Sequence, residues 1–148
     1  MTTAAINVLN SLLIEEVTAA EAYKQVVQKL PGLDIKLELQ ELHIAHSKRA
    51  QKLKKRLREL AGTQANNSIR RAIMDMVFSG AAEELVSRIL LFFENIENRI
   101  LSSYELSLSE LDHLSLSLVQ TDLIPDQDLT YNVVYTLKTG MAPLAKSA

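Results

Sequence analysis

Apolar positions recur along most of this chain at steps of three and four, the period of a helix face, and strand-like alternation is almost absent. Over residues 33–61, Leu39, Leu42, Ala50, Leu53, Leu57 and Leu60 form one stripe, with His43 and His46 in its middle. Over residues 3–30, Ile6, Leu9, Leu13, Ala20, Tyr23, Val27 and Leu30 form another, and Glu16 fills the step between Leu13 and Ala20. A third covers about 81–106 through Val86, Leu90, Phe93, Ile100 or Leu101, and Tyr104, with Glu97 in the missing step. A fourth is predicted from Leu111, Leu114, Leu118, Ile124, Tyr131, Val134 and Leu137 or Lys138. Pro125 should kink or restart this last helix, because proline lacks the backbone donor and clashes with the preceding turn.

Glycine and proline stand between these stripes. Pro31-Gly32 predicts a tight turn, so that the first two helices are antiparallel neighbours. Gly62 stops the second helix, and Ser79-Gly80 ends a short extra helix predicted over 69–78. Ser107 or Ser109 is a candidate cap at the third turn. The pattern predicts an all-α antiparallel four-helix bundle over residues 1–140, followed by a flexible tail over 141–148.

The polar interruptions carry the chemistry. A glutamate on a core stripe is rare unless it is paired, hydrogen-bonded or bound to a metal. Glu16 and His46 are equally distant from Pro31, which puts them at one level of the first hairpin; His43 lies one turn nearer the connection. Glu97 interrupts the third stripe as Glu16 interrupts the first. If the third turn is centred near Asp112, Gln127 comes level with Glu97; centred at Ser109, the two are offset by about 9 Å.

Composition excludes several classes. With 148 residues the chain can bury a single core unaided. It has no cysteine, hence no disulfide or thiolate ligand. A net charge of −2 offers no overall field for nucleic acid. The cations Lys48, Arg49, Lys52, Lys54, Lys55, Arg56 and Arg58 surround the second stripe. They fit a solvated face whose charge favours a helix C-terminus, or a patch for an anionic partner, although no aromatics interleave with them. No stretch approaches about twenty apolar residues, so no membrane span is expected. The opening MTTAAINVLN has no signal-peptide pattern, and the expected location is cytoplasmic. No nucleophile elbow, phosphate loop or dinucleotide fingerprint is present. Tyr23 and Tyr104 fit packed core aromatics, and His113 beside Asp112 fits an exposed turn.

LLIEEVTAAEAYKQVVQKL and QELHIAHSKRAQKLKKRLRELAG resemble the first hairpin of small bacterial ferritin-like proteins, a stress-associated group. FENIENRILSSYELSL, with Glu97 seven residues before Tyr104, and LIPDQDLTYNVVYTLK resemble their third and fourth helices. In such bundles two helices each give a Glu and two each give a Glu-x-x-His pair to a di-metal centre. The resemblance implies Glu16 and Glu97 as the single ligands. The second-helix pair falls on His43 and His46, with histidine where glutamate is expected. The fourth-helix pair falls on Gln127 and Thr130, or, one residue on, Asp128 and Tyr131; neither register restores a histidine.

Two irons about 3.5–4 Å apart need several carboxylates, and two glutamates do not supply them. Glu16, His43, His46 and Glu97 make a set for one zinc or iron ion, with Gln127 and Asp128 as lesser candidates. The same groups equally make a metal-free hydrogen-bonded cluster. The function implied is a non-catalytic ferritin-like domain with a vestigial or single-metal site, self-associating as a dimer. A di-iron oxidoreductase or iron-handling protein and a structural helical adaptor are the alternatives.

Overall fold

The computed structural model describes residues 2–30, 32–61 and 82–147. Helix α1 spans Thr2–Lys29, α2 Lys36–Ala61 and α3 Ala82–Ser107. A 3-10 turn, Leu108–Glu110, leads to α4, His113–Leu118, which passes through a π-helical segment, Val119–Leu123, into α5, Ile124–Ser147. From α4 to α5 the helical path is unbroken and forms the fourth rod of an all-α bundle. No strand occurs among the described residues, and no helix among them is long and apolar enough to cross a membrane. The predicted helix over 69–78 lies outside the described residues. The fourth rod is helical through Ser147, across the segment expected to be a tail.

The buried faces of the first three helices follow the predicted stripes. Leu9, Leu13, Glu16, Ala20 and Tyr23 of α1 are buried, as are Leu39, Leu42, His46, Ala50, Leu53 and Leu57 of α2. On α3 the choice between Ile100 and Leu101 falls to Ile100. The second helix begins at Lys36 rather than 33, because Leu33 and Lys36 donate backbone bonds back to Leu30 and Leu33 at 3.3 and 3.2 Å. These turns carry Ile35 into the core.

The fourth rod departs from its predicted stripe. Ser115, Val119, Leu123, Gln127, Thr130 and Val134 are buried, whereas Leu114 is 62% exposed. On a regular helix the three steps of four from Ser115 to Gln127 would drift by about 120°. The π segment absorbs that drift by accommodating one extra residue, with the Ile124 N–H bonded to the Val119 carbonyl. Pro125 follows directly, is exposed, and neither breaks nor restarts the rod. At the third turn the cap is Asp112, not Ser107 or Ser109; its side chain accepts from the Ser115 N–H at 3.3 Å.

Side-chain pairs fix the helix directions. Glu16–His46 and Ala20–His43 make α1 and α2 antiparallel. Glu97–Thr130 and Glu94–Lys138 do the same for α3 and α5. Glu16–Tyr104 and Tyr23–Glu97 run α1 against α3. Arg49–Asp126, Lys52–Asp122 and Arg56–Asp112 run α2 against the fourth rod. Helices α2 and α3 therefore point the same way, so the last residue of α2 and the first of α3 lie at opposite ends of the bundle.

Among the described residues the core has two apolar clusters. One holds Tyr23, Val26, Leu39, Leu42, Leu90, Phe93 and Val134; the other holds Leu9, Leu13, Leu53, Leu57, Ile100, Tyr104, Val119 and Leu123. The positions between them in sequence form a buried polar layer: Glu16, His46, Arg49, Glu97, Gln127 and Thr130.

Candidate functional site

The polar layer is built around His46. Its Nδ1 lies 2.7 Å from Glu16 Oε1 and its Nε2 lies 2.6 Å from Glu97 Oε2, with all three side chains fully buried. Burial alone pulls an imidazole down, but the Glu97 and Glu16 carboxylates outweigh it and push His46 up to about 9. At neutral pH both ring nitrogens therefore carry protons and both donate. Glu97 is held below the ordinary carboxylate range: burial raises it, and His46, Tyr23 and Gln127 more than offset that. The Tyr23 ring stacks between the imidazole, at a centroid distance of 5.4 Å, and Phe93, at 3.8 Å.

Arg49 is the second cation, and it is fully buried. Its Nε donates to Glu16 Oε2 at 2.5 Å, Nη1 to Asp126 Oδ2 at 2.6 Å, and Nη2 to Thr130 Oγ1 at 3.3 Å. Burial disfavours its charge, but Glu16 and Asp126 raise it above the ordinary guanidinium value. Nη2 also approaches His46 Nδ1 at 3.0 Å. With the imidazole protonated this is a contact between two donors, not a hydrogen bond. Glu16 makes it tolerable by straddling them, one oxygen to each cation.

The remaining lone pairs are satisfied. Tyr104 Oη donates to Glu16 Oε2 at 3.0 Å, and Tyr23 Oη to Glu97 Oε2 at 2.5 Å. Gln127 Nε2 donates to Glu97 Oε1 at 2.8 Å and to the Glu97 carbonyl at 2.9 Å. Thr130 Oγ1 has a single proton, shared between Glu97 Oε1 at 3.1 Å and the Gln127 carbonyl at 2.8 Å. Burial and then the facing carboxylates, Glu97 for Tyr23 and Glu16 for Tyr104, hold both phenols well above their ordinary value, so each keeps its proton and donates it to the facing carboxylate. Two carboxylates face two cations, and the fully buried charges cancel. Asp126, at 42% side-chain exposure, is the wet edge of the network.

Of the residues expected at a site, Glu16, His46, Glu97 and Gln127 come together. His43 does not join them: half-buried at the α1–α2 seam, its Nδ1 donates to the Ala20 carbonyl at 2.7 Å. Asp128 is exposed, and Tyr131 is half-buried outside the network. Among the described residues no group of three or more histidine, aspartate and glutamate side chains is arranged to hold a metal ion. The reason is geometric. His46 turns a different nitrogen to each glutamate, so Glu16 and Glu97 cannot share an ion with one ring nitrogen, and Arg49 fills the space beside Glu16. The expected donors do not fit a metal as they stand.

Sequence reasoning missed Arg49 and Asp126. The signal for Arg49 was present: Leu42, His46, Arg49 and Leu53 step by four, three and four, so the arginine lies on the buried stripe. A second signal is a repeat. Glu16 and Tyr23 on α1 have the same spacing as Glu97 and Tyr104 on α3. In space the pairs exchange partners, each tyrosine donating to the other helix's glutamate.

Neither of two surface grooves is lined by His46, Arg49, Glu16 or Glu97. Fold and site define an all-α four-helix bundle with an ion-paired polar layer at mid-height. Comparison with protein-family models, curated proteins and solved structures gives no match.

Proposed function

We propose that this chain is a non-catalytic ferritin-like domain in which an internal ion-pair network stands where related bundles carry a di-metal centre. One observation carries the reading: Arg49 and the His46 imidazolium supply, inside the layer, the positive charge that Glu16 and Glu97 require. The helix directions support the fold assignment. Ferritin-like bundles have one long crossover, which is what two parallel middle helices demand. The site positions support it too, with a glutamate from α1 and another from α3, and Gln127 and Thr130 in the fourth-rod pair positions. None of these groups is a free nucleophile or base, since each is engaged with a partner.

The test is elemental analysis of the natively purified protein. No stoichiometric transition metal is expected. Two irons per chain would overturn the reading in favour of a di-iron oxidoreductase, and one zinc would favour a single-metal site.

A further inference from the structure

Helices α1 and α3 run side by side in opposite directions. Where α1 begins and α3 ends, short side chains line their seam: Ser11 of α1, and Ser103 and Ser107 of α3. They leave a groove of about 320 Å³, which lies at the small end of the range for ligand sites. Val8, Leu12 and Ile14 give it apolar walls, and Leu106, 78% exposed, stands beside them. Its remaining polar groups are the carboxylates of Glu15 and Glu110.

Every hydroxyl proton in the groove is committed. Ser11 Oγ donates to the Asn7 carbonyl at 3.1 Å, Ser103 Oγ to Glu15 Oε1 at 3.1 Å, and Ser107 Oγ to the Tyr104 carbonyl at 2.6 Å. A hydroxyl has one proton, so these three present only lone pairs, as carboxylates do. The lining side chains therefore offer acceptors and apolar surface, and no spare donor. No described residue donates to Glu110. Glu15 has, besides Ser103, only Arg99 at 3.4 Å, a side chain 58% exposed. Two carboxylates thus face one loosely held guanidinium, an excess of one negative charge.

We propose that this groove binds a small amphiphilic amine, its ammonium received by the carboxylates of Glu15 and Glu110 and its hydrocarbon body laid against Val8, Leu12 and Leu106. An ammonium has three donors, no acceptor and one positive charge, which is what an acceptor-only lining with one surplus negative charge takes. A carboxylate ligand meets like charge, and an alcohol of the same shape brings one donor and no charge. The hydrocarbon body is needed as well, because a solvent-exposed charge pair alone contributes little, whereas covering the apolar walls gains in proportion to their area. No residue of the polar layer lines the groove, so the inference stands apart from the function proposed above.

The test titrates phenylbutylamine, phenylbutanol and phenylbutyrate into the full-length protein at neutral pH, following backbone amide shifts by NMR. The amine is expected to bind saturably, with a dissociation constant on the order of 1 mM for a ligand of this size. It should shift the amides of Ser11, Glu15, Ser103 and Leu106 and leave those of Lys52, Lys55 and Glu59, at the groove between α2 and α4, in place. The alcohol should bind more weakly and the acid not at all. Spermidine, a cation without a hydrocarbon body, should bind more weakly than phenylbutylamine. Glu110→Gln should weaken the amine by about threefold to fivefold, as loss of one exposed charge does. Ser11→Trp, at an exposed position on the groove, should abolish binding. Absence of saturable shifts, an alcohol or spermidine that binds as tightly as the amine, or an affinity unchanged by Ser11→Trp overturns the proposal. Tighter binding of acetyl-lysine amide than of phenylbutylamine assigns the groove to a lysine of another polypeptide and overturns the free-amine reading. The ligand comparisons need no variant, so they decide the matter even if Ser11→Trp does not fold.

Discussion

At the scale of single residues, the protonated His46 imidazole joins the two buried glutamates of the layer. In the unfolded chain an imidazole titrates near 6.5; here the two glutamates push it to about 9. A pKa raised on folding means stability that is fully present below about 6.5 and lost as pH rises through about 9, amounting to about 3 kcal/mol. Glu97, depressed on folding, gives the acid limb: its contribution is present above the ordinary carboxylate range and lost as pH falls through its lowered value. The two limbs describe one contact from its two ends and are counted once. Melting temperature should therefore fall between pH 6.5 and 9, below the pH at which tyrosines ionise. His46→Gln should be less stable at pH 6 and flat across that window. A wild-type protein flat over the same window would show that the imidazole is not protonated. The three central residues were legible because each puts an ionisable group on an apolar stripe, where burial demands a partner. Arg49 lies on the same stripe but within a run of cations, and a long cationic side chain beside solvated neighbours reads as one of them.

At the scale of elements, the fourth rod holds two irregularities that explain each other. The buried steps of four from Ser115 to Gln127 require an extra residue, and the π segment holds it. Pro125 sits immediately beyond. Deleting the exposed Gln120 would turn the steps Ser115–Val119–Leu123–Gln127 into four, three and four, an ordinary α-helical stripe. Pro125 would then interrupt a regular helix, at a cost of about 3 kcal/mol. In urea denaturation, deletion of Gln120 should be destabilising by about that amount, Pro125→Ala should change stability by less than about 1 kcal/mol, and the combination should recover most of the loss. Additive effects would mean that Pro125 and the π segment are unrelated. Neither the π segment nor the shifted stripe was legible, because a search at 3.6 residues per turn has no place for a local longer period. A period of 3.6 selects Leu114 and Tyr131 instead, beside the true face.

At the scale of the molecule, the four-helix plan was legible and the relative direction of its hairpins was not. The short stretches between Lys29 and Lys36 and between Ser107 and His113 fix each hairpin, but the sequence alone does not decide which way up the second hairpin lies. Only pairs such as Glu16–Tyr104 and Arg56–Asp112 decide it. The basic run of α2 has part of its purpose here: Arg49, Lys52 and Arg56 bind Asp126, Asp122 and Asp112 along the fourth rod. Pairs such as Lys52–Asp122, at 45% and 41% exposure, are screened by salt and contribute little. The fully buried layer is screened far less, and in the proposed reading Arg49 and His46 supply its positive charge. Two consequences follow for the proposed metal-free bundle. Dialysis against EDTA should leave the melting temperature unchanged to within about 2 °C, and 1 M NaCl should shift it by no more than about 4 °C, the equivalent of roughly 1 kcal/mol in a chain of this size. A structural divalent ion contributes far more than that to folding. An EDTA-induced fall of about 10 °C or more would mean that a metal, and not Arg49 with His46, neutralises Glu16 and Glu97.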